Sequence, residues 1–390
     1  MDITLTTFME KQLQQTTSTF HRYMYDQVSW QSRMFGLVGP RGVGKSTMIL
    51  QFIKEHKDSR HMFYVTADHL YFSSHTLVDL VDEFAKEGGE QIFIDEIHKY
   101  ENWSRELKQI YDSHPDVKVG FTGSSVLDIY KGYADLSRRA PIFMMQGLSF
   151  REYLMMFHQI EVPTYTLNDI VGQKAMIANV NHPLPLFRDY LKRGYYPFAN
   201  EGDYELRLRQ VVNQTMEVDI PLYANMNAST GRKLKKLLTV IAQSVPFKPV
   251  MDSIATVIGV SRNVLPDYFL YMEQAGMIGQ LRDNTGGIRG IGKVEKVYLD
   301  NTSLAYLLGD KATDIGNIRE TFFYNQMRVT TDVISSRTSD FEIDGMTFEV
   351  GGKKKGKKQL THAEVGFVVK DDIEFGSGNI IPLWAFGLTY

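Results

Sequence analysis

The residues from 39 to 47 have the types and the spacing that bind phosphate groups. They are Gly39, Pro40, Arg41, Gly42, Val43, Gly44, Lys45, Ser46 and Thr47, and they match the pattern G-x-x-x-x-G-K-[ST] at every specified position. Glycines allow backbone N–H groups to close around phosphate oxygens, where a Cβ atom would obstruct them. Lys45 can contact the β- and γ-phosphates, and the Ser46 hydroxyl can ligate Mg²⁺. This phosphate loop therefore predicts a binding site for a nucleoside triphosphate with Mg²⁺.

Two adjacent carboxylates, Asp95 and Glu96, end the apolar run at residues 91–94. At the end of a buried strand, Asp95 can hold the Mg²⁺ ion through water, and Glu96 can polarise the water that attacks the γ-phosphate. The alternative is that both acids only begin the next helix, where carboxylates are common. The phosphate loop upstream favours the catalytic interpretation.

A group of hydroxyls follows the next apolar run, at residues 117–121. Thr122, Ser124 and Ser125 supply them. At a strand end beside the acidic strand, such hydroxyls can sense the γ-phosphate or orient water, and we therefore expect Thr122 to contact the nucleotide. Ser124 can equally cap the helical stretch at residues 126–129, so both roles stay open.

These polar residues need elements that bring them together. Short apolar runs at residues 33–38, 62–65, 91–96 and 117–121 are typical of buried parallel strands. Helical patterns separate them, beginning with residues 48–53, where a helix N-terminus would point at the bound anion, and continuing at 76–86 and 103–113. This alternation predicts a doubly wound α/β fold with a parallel sheet.

Several motifs in this order resemble one group of proteins. The phosphate loop, residues 94–98 with Trp103, residues 122–125, 136–140 and 148–153 resemble the prokaryotic, archaeal-type P-loop ATPases of the AAA-like superfamily. The resemblance covers about the first 155 residues. It implies ATP and Mg²⁺ as cofactors and ATP hydrolysis as the activity, although the residues alone do not separate ATP from GTP.

An arginine before the last core strand is a candidate finger or sensor for the γ-phosphate in such relatives. Arg139 occupies that position here, with Arg138 beside it. The alternative is a pair of surface arginines near the start of a strand. A finger that acts between subunits would require a homo-oligomer.

The remaining chain predicts three further blocks after an ATPase core at residues 1–155. Residues 156–230 carry helical patterns typical of a small lid. Residues 231–305 contain helical stretches at 234–242, 254–259 and 263–274, followed by β-rich stretches around the glycine-rich residues 284–292. That order predicts a winged helix-turn-helix, which the family resemblance also implies.

Two functions stay open for the predicted winged helix. Seven lysines and arginines between residues 232 and 282 stand against three acids, but the third helix has Arg262 as its single basic residue. A helix that reads the major groove usually presents more donors. The segment therefore predicts either DNA binding or a protein-interaction module.

Residues 306–390 resemble the restriction-endonuclease-like domain that many of these ATPases carry. The resemblance implies a metal site in which Asp340 and Glu349 would bind the ion, with Lys353 as the lysine. Gly351 stands where that lysine is expected, which makes nuclease activity doubtful and the site degenerate. The basic run Lys353–Lys358 is either a solvated loop or a phosphate contact for DNA.

Composition excludes other classes of site and completes the prediction. The chain has 390 residues, no cysteine, 43% hydrophobic and 23% charged residues, and a net charge of −3. Disulfides and thiolate metal sites are therefore excluded, and the absence of a signal-peptide pattern or a membrane-length apolar run predicts a cytoplasmic protein. We expect a Mg²⁺-dependent ATPase that couples its nucleotide state to C-terminal modules. The alternatives are a slow nucleotide-operated switch or scaffold and an ATP-gated DNA nuclease.

Overall fold

The chain folds into two compact units, Met1–Gln146 and Gly147–Tyr390, called here the N-terminal and C-terminal units. The computed structural model describes residues 1–56, 61–123, 136, 138–244, 248–284, 293–309, 314–356, 360 and 364–390. Ser124, Ser125, the predicted helix at 126–129, residues 285–292, Lys357 and Lys358 lie outside the described residues. The division into four blocks stays a prediction.

The N-terminal unit is built on a five-stranded parallel sheet. Its strands are β1 (Met34–Val38), β2 (Met62–Thr66), β3 (Gln91–Asp95), β4 (Lys118–Gly123) and β5 (Ile142–Met144). They lie in the order β2-β3-β4-β1-β5, and every neighbouring pair is parallel. This arrangement confirms the predicted α/β class with a parallel sheet. It also places β4 between the strand that precedes the phosphate loop and the strand that ends in the two acids.

Among the described residues of this unit, four α-helices accompany the sheet. They are α1 (Ile3–Gln15), α2 (Lys45–His56), α3 (Leu77–Lys86) and α4 (Trp103–Ser113). The α3 helix begins one residue after Thr76 because the Thr76 side chain and the Asp79 side chain form a reciprocal capping box. The β1 and β3 strands are buried along their whole length, as expected for parallel strands covered on both faces.

The C-terminal unit contains ten helices among its described residues. They are α5 (Phe150–His158), α6 (Leu167–Val171), α7 (Leu184–Arg193), α8 (Tyr204–Gln214), α9 (Ile220–Tyr223), α10 (Ala228–Ser244), α11 (Met251–Ile258), α12 (Leu265–Gln274), α13 (Thr302–Leu308) and α14 (Ile315–Thr330). One π-helical turn joins α8 to α9.

Two sheets complete the C-terminal unit. An antiparallel hairpin pairs β6 (Ile278–Arg282) with β7 (Val294–Leu299). A five-stranded sheet has the order β12-β11-β10-β9-β8, with β8 (Ile334–Ser335), β9 (Phe341–Ile343), β10 (Met346–Gly351), β11 (Gly366–Lys370) and β12 (Ile380–Pro382). In it, β8, β9 and β10 pair antiparallel, while β10, β11 and β12 pair parallel.

The three helices α10, α11 and α12 and the β6–β7 hairpin follow one another in the order that a winged helix requires. The α11 helix ends at Gly259, which has a φ of +71°, a left-handed conformation that favours glycine. The assignment of this segment as a winged helix stays a prediction, and so does that of residues 306–390 as a nuclease-like domain.

Buried polar side chains on α14 hold the centre of the C-terminal unit together. Gln326 is fully buried; its amide nitrogen donates to the hydroxyls of Tyr190 (3.0 Å) and Tyr390 (3.2 Å), and its oxygen accepts from the N–H of Phe150 (3.3 Å). Arg328 on the same helix forms an ion pair with Asp300. Across the described parts of the chain, every helix falls short of the length and apolarity that a membrane span needs.

Candidate functional site

The phosphate loop connects β1 to α2 and depends on glycine at three positions. Gly39, Gly42 and Gly44 have φ values of +153°, +83° and +96°, which side chains disfavour. A Cβ atom on Gly39 would also collide with the carbonyl oxygen of Met145 at the end of β5. The loop is therefore held close against β5, and this close approach requires glycine.

Lys45 lies inside the loop that precedes it. Its ammonium group donates to the carbonyl oxygens of Gly39 and Pro40, both at 2.9 Å, and its side chain is almost completely buried. Burial lowers the pKa of Lys45 to about 8, although the carboxylates of Glu96 and Asp95 act in the opposite direction. A phosphate group at this position would supply the negative charge that favours the protonated lysine.

Asp95 ends β3 with both of its carboxylate oxygens engaged. The Tyr64 hydroxyl donates to Oδ2 at 2.7 Å, and the Thr122 hydroxyl donates to Oδ1, which also accepts from the N–H of Glu96 at 3.1 Å. Thr122 is fully buried, and Asp95 is 4% exposed. The structure thus brings the predicted Thr122 to the predicted metal ligand, and it adds Tyr64, for which the sequence gives no motif.

Glu96 adopts an uncommon backbone conformation, with a φ of +51°. Its N–H donates to the Thr122 hydroxyl oxygen at 3.1 Å. Burial, and next the charge of Asp95, raise the pKa of its carboxyl group, while Lys45 and Arg41 oppose this rise. A carboxylate with a raised pKa is a better proton acceptor, which suits the predicted role on the attacking water.

The alternative role for the two acids, as residues that begin the next helix, stays open beside the catalytic one. Glu96 precedes the short 3₁₀ turn Ile97–Lys99 but its side chain makes no capping hydrogen bond to it. Instead, Oε2 of Glu96 lies 3.5 Å from Nε2 of His98, a ring that is 6% exposed. His98 is a further residue of the site that sequence reasoning did not assign, although it stands two positions after Glu96.

The donors at this edge of the sheet suit Mg²⁺ together with phosphate. Ser46 in the first turn of α2 offers a hydroxyl, Asp95 offers a carboxylate, and both are hard oxygen ligands. Within the described ranges, no group of three or more His, Asp or Glu side chains could hold a metal ion. Mg²⁺ commonly binds through one or two protein oxygens and the phosphates of its substrate, so the donor set fits that ion.

Arg139 lies near the amino ends of the strands, whereas the phosphate loop lies at their carboxyl ends. Its guanidinium group forms an ion pair with Asp112 (3.2 Å) and lies 5.6 Å from the ring of Tyr111. The guanidinium of Arg33, the residue before β1, lies over the same ring at 3.8 Å. Because α4 runs back toward the amino ends of the strands, this cluster is remote from the phosphate loop in the same chain. A role of Arg139 in a second copy stays a prediction.

The predicted nuclease-like residues are partly brought together in the C-terminal unit. Glu349 is 1% exposed and forms an ion pair with Lys355, not with the predicted Lys353. The reason is that β10 ends at Gly351 and the chain turns back, with the N–H of Lys355 donating to Gly352 at 2.9 Å. The role of Lys353 in a nuclease-like site stays a prediction, and the aliphatic stem of Lys355 lies against Gly351.

Asp340 lies close to this pair but has its own lysine. Its Oδ2 accepts from the N–H of Val350 at 3.0 Å, and its Oδ1 lies 3.1 Å from the ammonium of Lys296 on β7. The same ammonium lies 3.1 Å from the carboxylate of Glu320 on α14. Lys296 and Glu320 were not predicted as site residues, since only the folded chain brings β7, α14 and β9 together.

Comparisons with known families agree with the site in the N-terminal unit. Residues 31–154 match the AAA domain family, and residues 184–314 match a domain of unknown function, DUF8612. A comparison of the sequence with curated proteins found no match.

Solved structures with a remote likeness come from several organisms. The Walker-type ATPase PABY2304 of Pyrococcus abyssi has a TM-score of 0.48 at 13% identity, over 76% of this chain and 99% of that chain. AMPPCP-bound DnaA from Aquifex aeolicus has a TM-score of 0.26 at 10% identity, over 64% and 84%. The Hsp104–ADP complex of S. cerevisiae has a TM-score of 0.32 at 15% identity, over 68% and 39%.

Residues 31–154 thus combine the phosphate loop and the parallel sheet with the match to the AAA domain family. Such a domain supports nucleotide binding and an ATPase activity.

Proposed function

We propose that the chain is a Mg²⁺-dependent ATPase that hydrolyses ATP at the phosphate loop. The convergence of Lys45, Asp95 and Glu96 carries this proposal. The charges of Asp95 and Glu96 both raise the pKa of the buried Lys45, so the two carboxylates are close enough to the lysine to act on one phosphate group with it. The AAA match of residues 31–154 favours ATP as the nucleotide.

Each of these residues has a distinct role in the proposed reaction. The phosphate loop and Lys45 bind the phosphates and offset their charge as the leaving group departs. Asp95 and Ser46 would hold Mg²⁺, which when bound neutralises charge on the phosphate oxygens. Glu96 accepts the proton of the attacking water, and Thr122 holds both Asp95 and the backbone of Glu96 in place.

We further propose that nucleotide binding is coupled to the C-terminal modules. Arg22 is 5% exposed and donates both to the carbonyl of Val43 in the phosphate loop and to the carbonyl of Gln146, the latter at 2.7 Å. Gln146 is the last residue of the N-terminal unit, and its N–H donates to the Tyr23 hydroxyl at 3.2 Å. These bonds support coupling because they tie the loop to the point where the chain leaves the unit.

A slow nucleotide-operated switch is the second candidate, and the position of Arg139 favours it. An arginine finger raises phosphoryl-transfer rates by about 10³- to 10⁵-fold. Since Arg139 pairs with Asp112 at the far edge of the sheet, it does not supply that group to its own site. A kcat near 10 s⁻¹, about the median for enzymes, would support the ATPase, whereas turnover slower than about 10⁻² s⁻¹ would support the switch.

DNA binding through the predicted winged helix and the run Lys353–Lys358 is a separate proposal. The α12 helix carries no lysine or arginine, and Arg262 before it pairs with Asp252 at 3.1 Å. These features favour a protein partner for that helix over major-groove reading. Binding to a labelled DNA duplex that weakens steeply between 50 and 200 mM salt would support the DNA alternative, as phosphate contacts predict.

A turnover assay tests the proposed ATPase. Purified chain, ATP and Mg²⁺ should release phosphate, and Lys45→Ala and Glu96→Gln should each reduce the release at least a hundredfold. Phosphate release by both variants at the wild-type rate would exclude hydrolysis at this site. Metal-dependent cleavage of DNA that Glu349→Ala abolishes would support the nuclease alternative, and no cleavage with either Mg²⁺ or Mn²⁺ would remove it.

A further inference from the structure

We propose that Tyr64 is a positioning residue that fixes Asp95 for Mg²⁺, an inference that rests on the proposed function. Tyr64 lies on β2, which neighbours the acidic strand β3. It has no part in the phosphate-loop motif, and its side chain is 4% exposed.

The register of the sheet explains how Tyr64 reaches the carboxylate. Tyr64 is aligned with Phe93, two residues before Asp95, so its side chain lies on the same face of the sheet as that of Asp95. The tyrosine side chain is long enough to reach diagonally from β2 to Asp95 on β3, and its hydroxyl lies 2.7 Å from Oδ2. On the other side, Thr122 from β4 donates to Oδ1. Each strand that flanks β3 thus supplies one donor.

Two opposed donors hold the carboxylate in one orientation. The terminal torsion of an aspartate is broad, so an unsupported carboxylate rotates easily. Here Oδ1 accepts from the Thr122 hydroxyl and from the N–H of Glu96, and Oδ2 accepts from the Tyr64 hydroxyl, so the second lone pair of Oδ2 keeps a constant direction. Both donors are neutral, so the full negative charge of Asp95 remains available to a cation.

The test is a comparison of nucleotide affinity with and without Mg²⁺, measured with a fluorescent ATP analogue. In wild-type protein, Mg²⁺ should tighten binding. Tyr64→Phe removes one oxygen atom; it should leave the affinity in EDTA unchanged but reduce the gain from Mg²⁺ about tenfold, the effect of one hydrogen bond to a charged group. A merely structural tyrosine would change both affinities or neither.

Control variants separate this effect from a general loss of stability. Tyr25→Phe removes another tyrosine–carboxylate hydrogen bond, to Glu55 at 2.5 Å, and should leave the Mg²⁺ gain unchanged. If Tyr64→Phe fails to fold, the other donor serves: Thr122→Val should lose the gain and Thr122→Ser should restore it.

The outcomes distinguish the inference from the proposed function. A Mg²⁺ gain in wild-type protein that Tyr64→Phe retains, with hydrolysis intact, overturns the role of Tyr64 alone. A Mg²⁺ gain that Tyr64→Phe loses, in a protein that does not hydrolyse ATP, supports the role of Tyr64 and removes the ATPase. No Mg²⁺ gain in wild-type protein contradicts both.

A different observation, in the C-terminal unit, carries a second inference: Lys296 serves as a built-in counter-ion where a nuclease-like site would need a divalent metal. Its ammonium lies 3.1 Å from both the Glu320 carboxylate and the Asp340 carboxylate. The three side chains are each 15% exposed, so the charges are largely removed from water. Buried charges require such partners.

The neighbouring carboxylate is satisfied in the same way. Glu349 pairs with Lys355 and accepts from the Ser339 hydroxyl. The cluster thus contains three carboxylates and two ammonium groups, and Tyr298 donates to Glu320 at 2.7 Å. Burial, and next the charge of Asp340, raise the pKa of Glu320, and Lys296 is the main opposing influence. Two of the three carboxylate charges are therefore already offset by lysines, and the donor set does not fit a divalent metal.

Lys296 differs from a bound metal ion because it is part of the chain and therefore links the elements whose carboxylates it contacts. Lys296 belongs to the β6–β7 hairpin, whereas Glu320 lies on α14 and Asp340 precedes β9. Lys296 therefore ties the hairpin to the helix and the sheet of the C-terminal unit. Lys296 and Asp340 line one wall of a polar groove of about 970 Å³.

Mn²⁺ binding tests this inference without nucleotide, on a full-length Asp95→Asn background that silences the proposed Mg²⁺ ligand. The unchanged C-terminal unit should bind no Mn²⁺ at millimolar concentration. Lys296→Met should create one Mn²⁺ site, seen by electron paramagnetic resonance, that Asp340→Asn abolishes. Lys293→Met is the matched control, because Lys293 lies one residue before β7 and pairs with the surface residue Glu295.

Two results would overturn the inference that Lys296 takes the place of a metal ion. One is Mn²⁺ binding by the protein with Lys296 intact that Asp340→Asn removes. The other is a folded Lys296→Met variant without Mn²⁺ affinity. If Lys296→Met does not fold, Lys296→Ala with Glu320→Gln removes one charge of each sign, and its two remaining carboxylates should still gain weak Mn²⁺ binding. A folded double variant that gains none would overturn the inference as well.

Discussion

At the scale of the residue, Lys45 is deeply buried and lies near two carboxylates. Burial lowers its pKa to about 8, and Asp95 and Glu96 limit this decrease. The group therefore carries a proton at neutral pH but loses it in a range that experiments can reach. This places the ionisation of the phosphate-binding lysine within the working range of a binding assay.

Nucleotide affinity should consequently fall as pH rises above about 8. Phosphate binds the protonated lysine, so above the pKa each binding event must take up a proton, and the dissociation constant should rise by up to tenfold per pH unit. Titrations with a fluorescent ATP analogue between pH 7.5 and 9.5 measure this slope. Lys45→Arg, which keeps its charge, should bind with a flat profile; a flat profile in the wild-type protein would contradict the prediction.

Gly39 is a position in the phosphate loop where an added methyl group should be destabilising. Gly39→Ala places a Cβ against the carbonyl of Met145, and the backbone shift should reduce the free energy of unfolding by about 1–3 kcal/mol. Gly88→Ala is the matched control, since Gly88 has a φ of +82° but open space around its Cβ position. In the control, the free energy of unfolding should fall only by about 1–2 kcal/mol, the cost of a Cβ atom in a left-handed conformation. Its nucleotide affinity should stay unchanged. Urea unfolding and nucleotide titration of both variants decide this.

At the scale of the element, α14 organises the C-terminal unit through polar atoms that have no access to water. Gln326→Ala would leave the Tyr190 hydroxyl, the Tyr390 hydroxyl and the N–H of Phe150 without this partner. We expect the unfolding free energy of that unit to fall by about 3 kcal/mol, as for a buried polar group left unsatisfied. Thr330→Ala, at the exposed end of the same helix, should have little effect. A loss below about 1 kcal/mol in Gln326→Ala would contradict this account.

Elements were more predictable than the pairs they form. The strands β1 and β3 could be predicted because the glycines of the phosphate loop follow one apolar run directly and the two acids follow the other. The pairing of β2 with β3 could not, because strand neighbours are set by contacts far apart in sequence. Tyr64 was missed for this reason.

The C-terminal lysine shows a different limit of sequence reasoning. The resemblance offers Lys353 as the lysine beside Glu349, but two glycines, Gly351 and Gly352, lie between the two residues. The strand ends at Gly351, and the turn that follows brings Lys355 into an ion pair with Glu349. Lys296 was beyond prediction because its two partners lie 24 and 44 residues away in the chain.

At the scale of the whole molecule, Arg22 offers a test of coupling between nucleotide binding and the C-terminal unit. In wild-type protein, ATP analogue binding should change hydrogen exchange in α5, the first helix after Gln146. Arg22→Lys keeps the charge but cannot donate to the carbonyls of Val43 and Gln146 in the same forked geometry. We expect this variant to bind nucleotide but to lose the change in exchange.

Arg33→Lys is the control for this coupling experiment, because Arg33 lies at the far edge of the sheet against Tyr111. It should retain the wild-type response in α5. A response that persists in Arg22→Lys would show that the coupling does not run through this arginine. No response in the wild-type protein would remove the coupling proposal and leave the ATPase in place.

The most direct test of the central claim is phosphate release from bound ATP in a single turnover, with wild-type protein and Glu96→Gln at equal nucleotide occupancy. The geometry predicts that both bind Mg²⁺–ATP, because Lys45 and Asp95 are unchanged. It predicts that Glu96→Gln releases phosphate at least a hundredfold more slowly, since its amide cannot accept the proton of the attacking water. Equal rates for the two proteins would contradict hydrolysis by the phosphate-loop site.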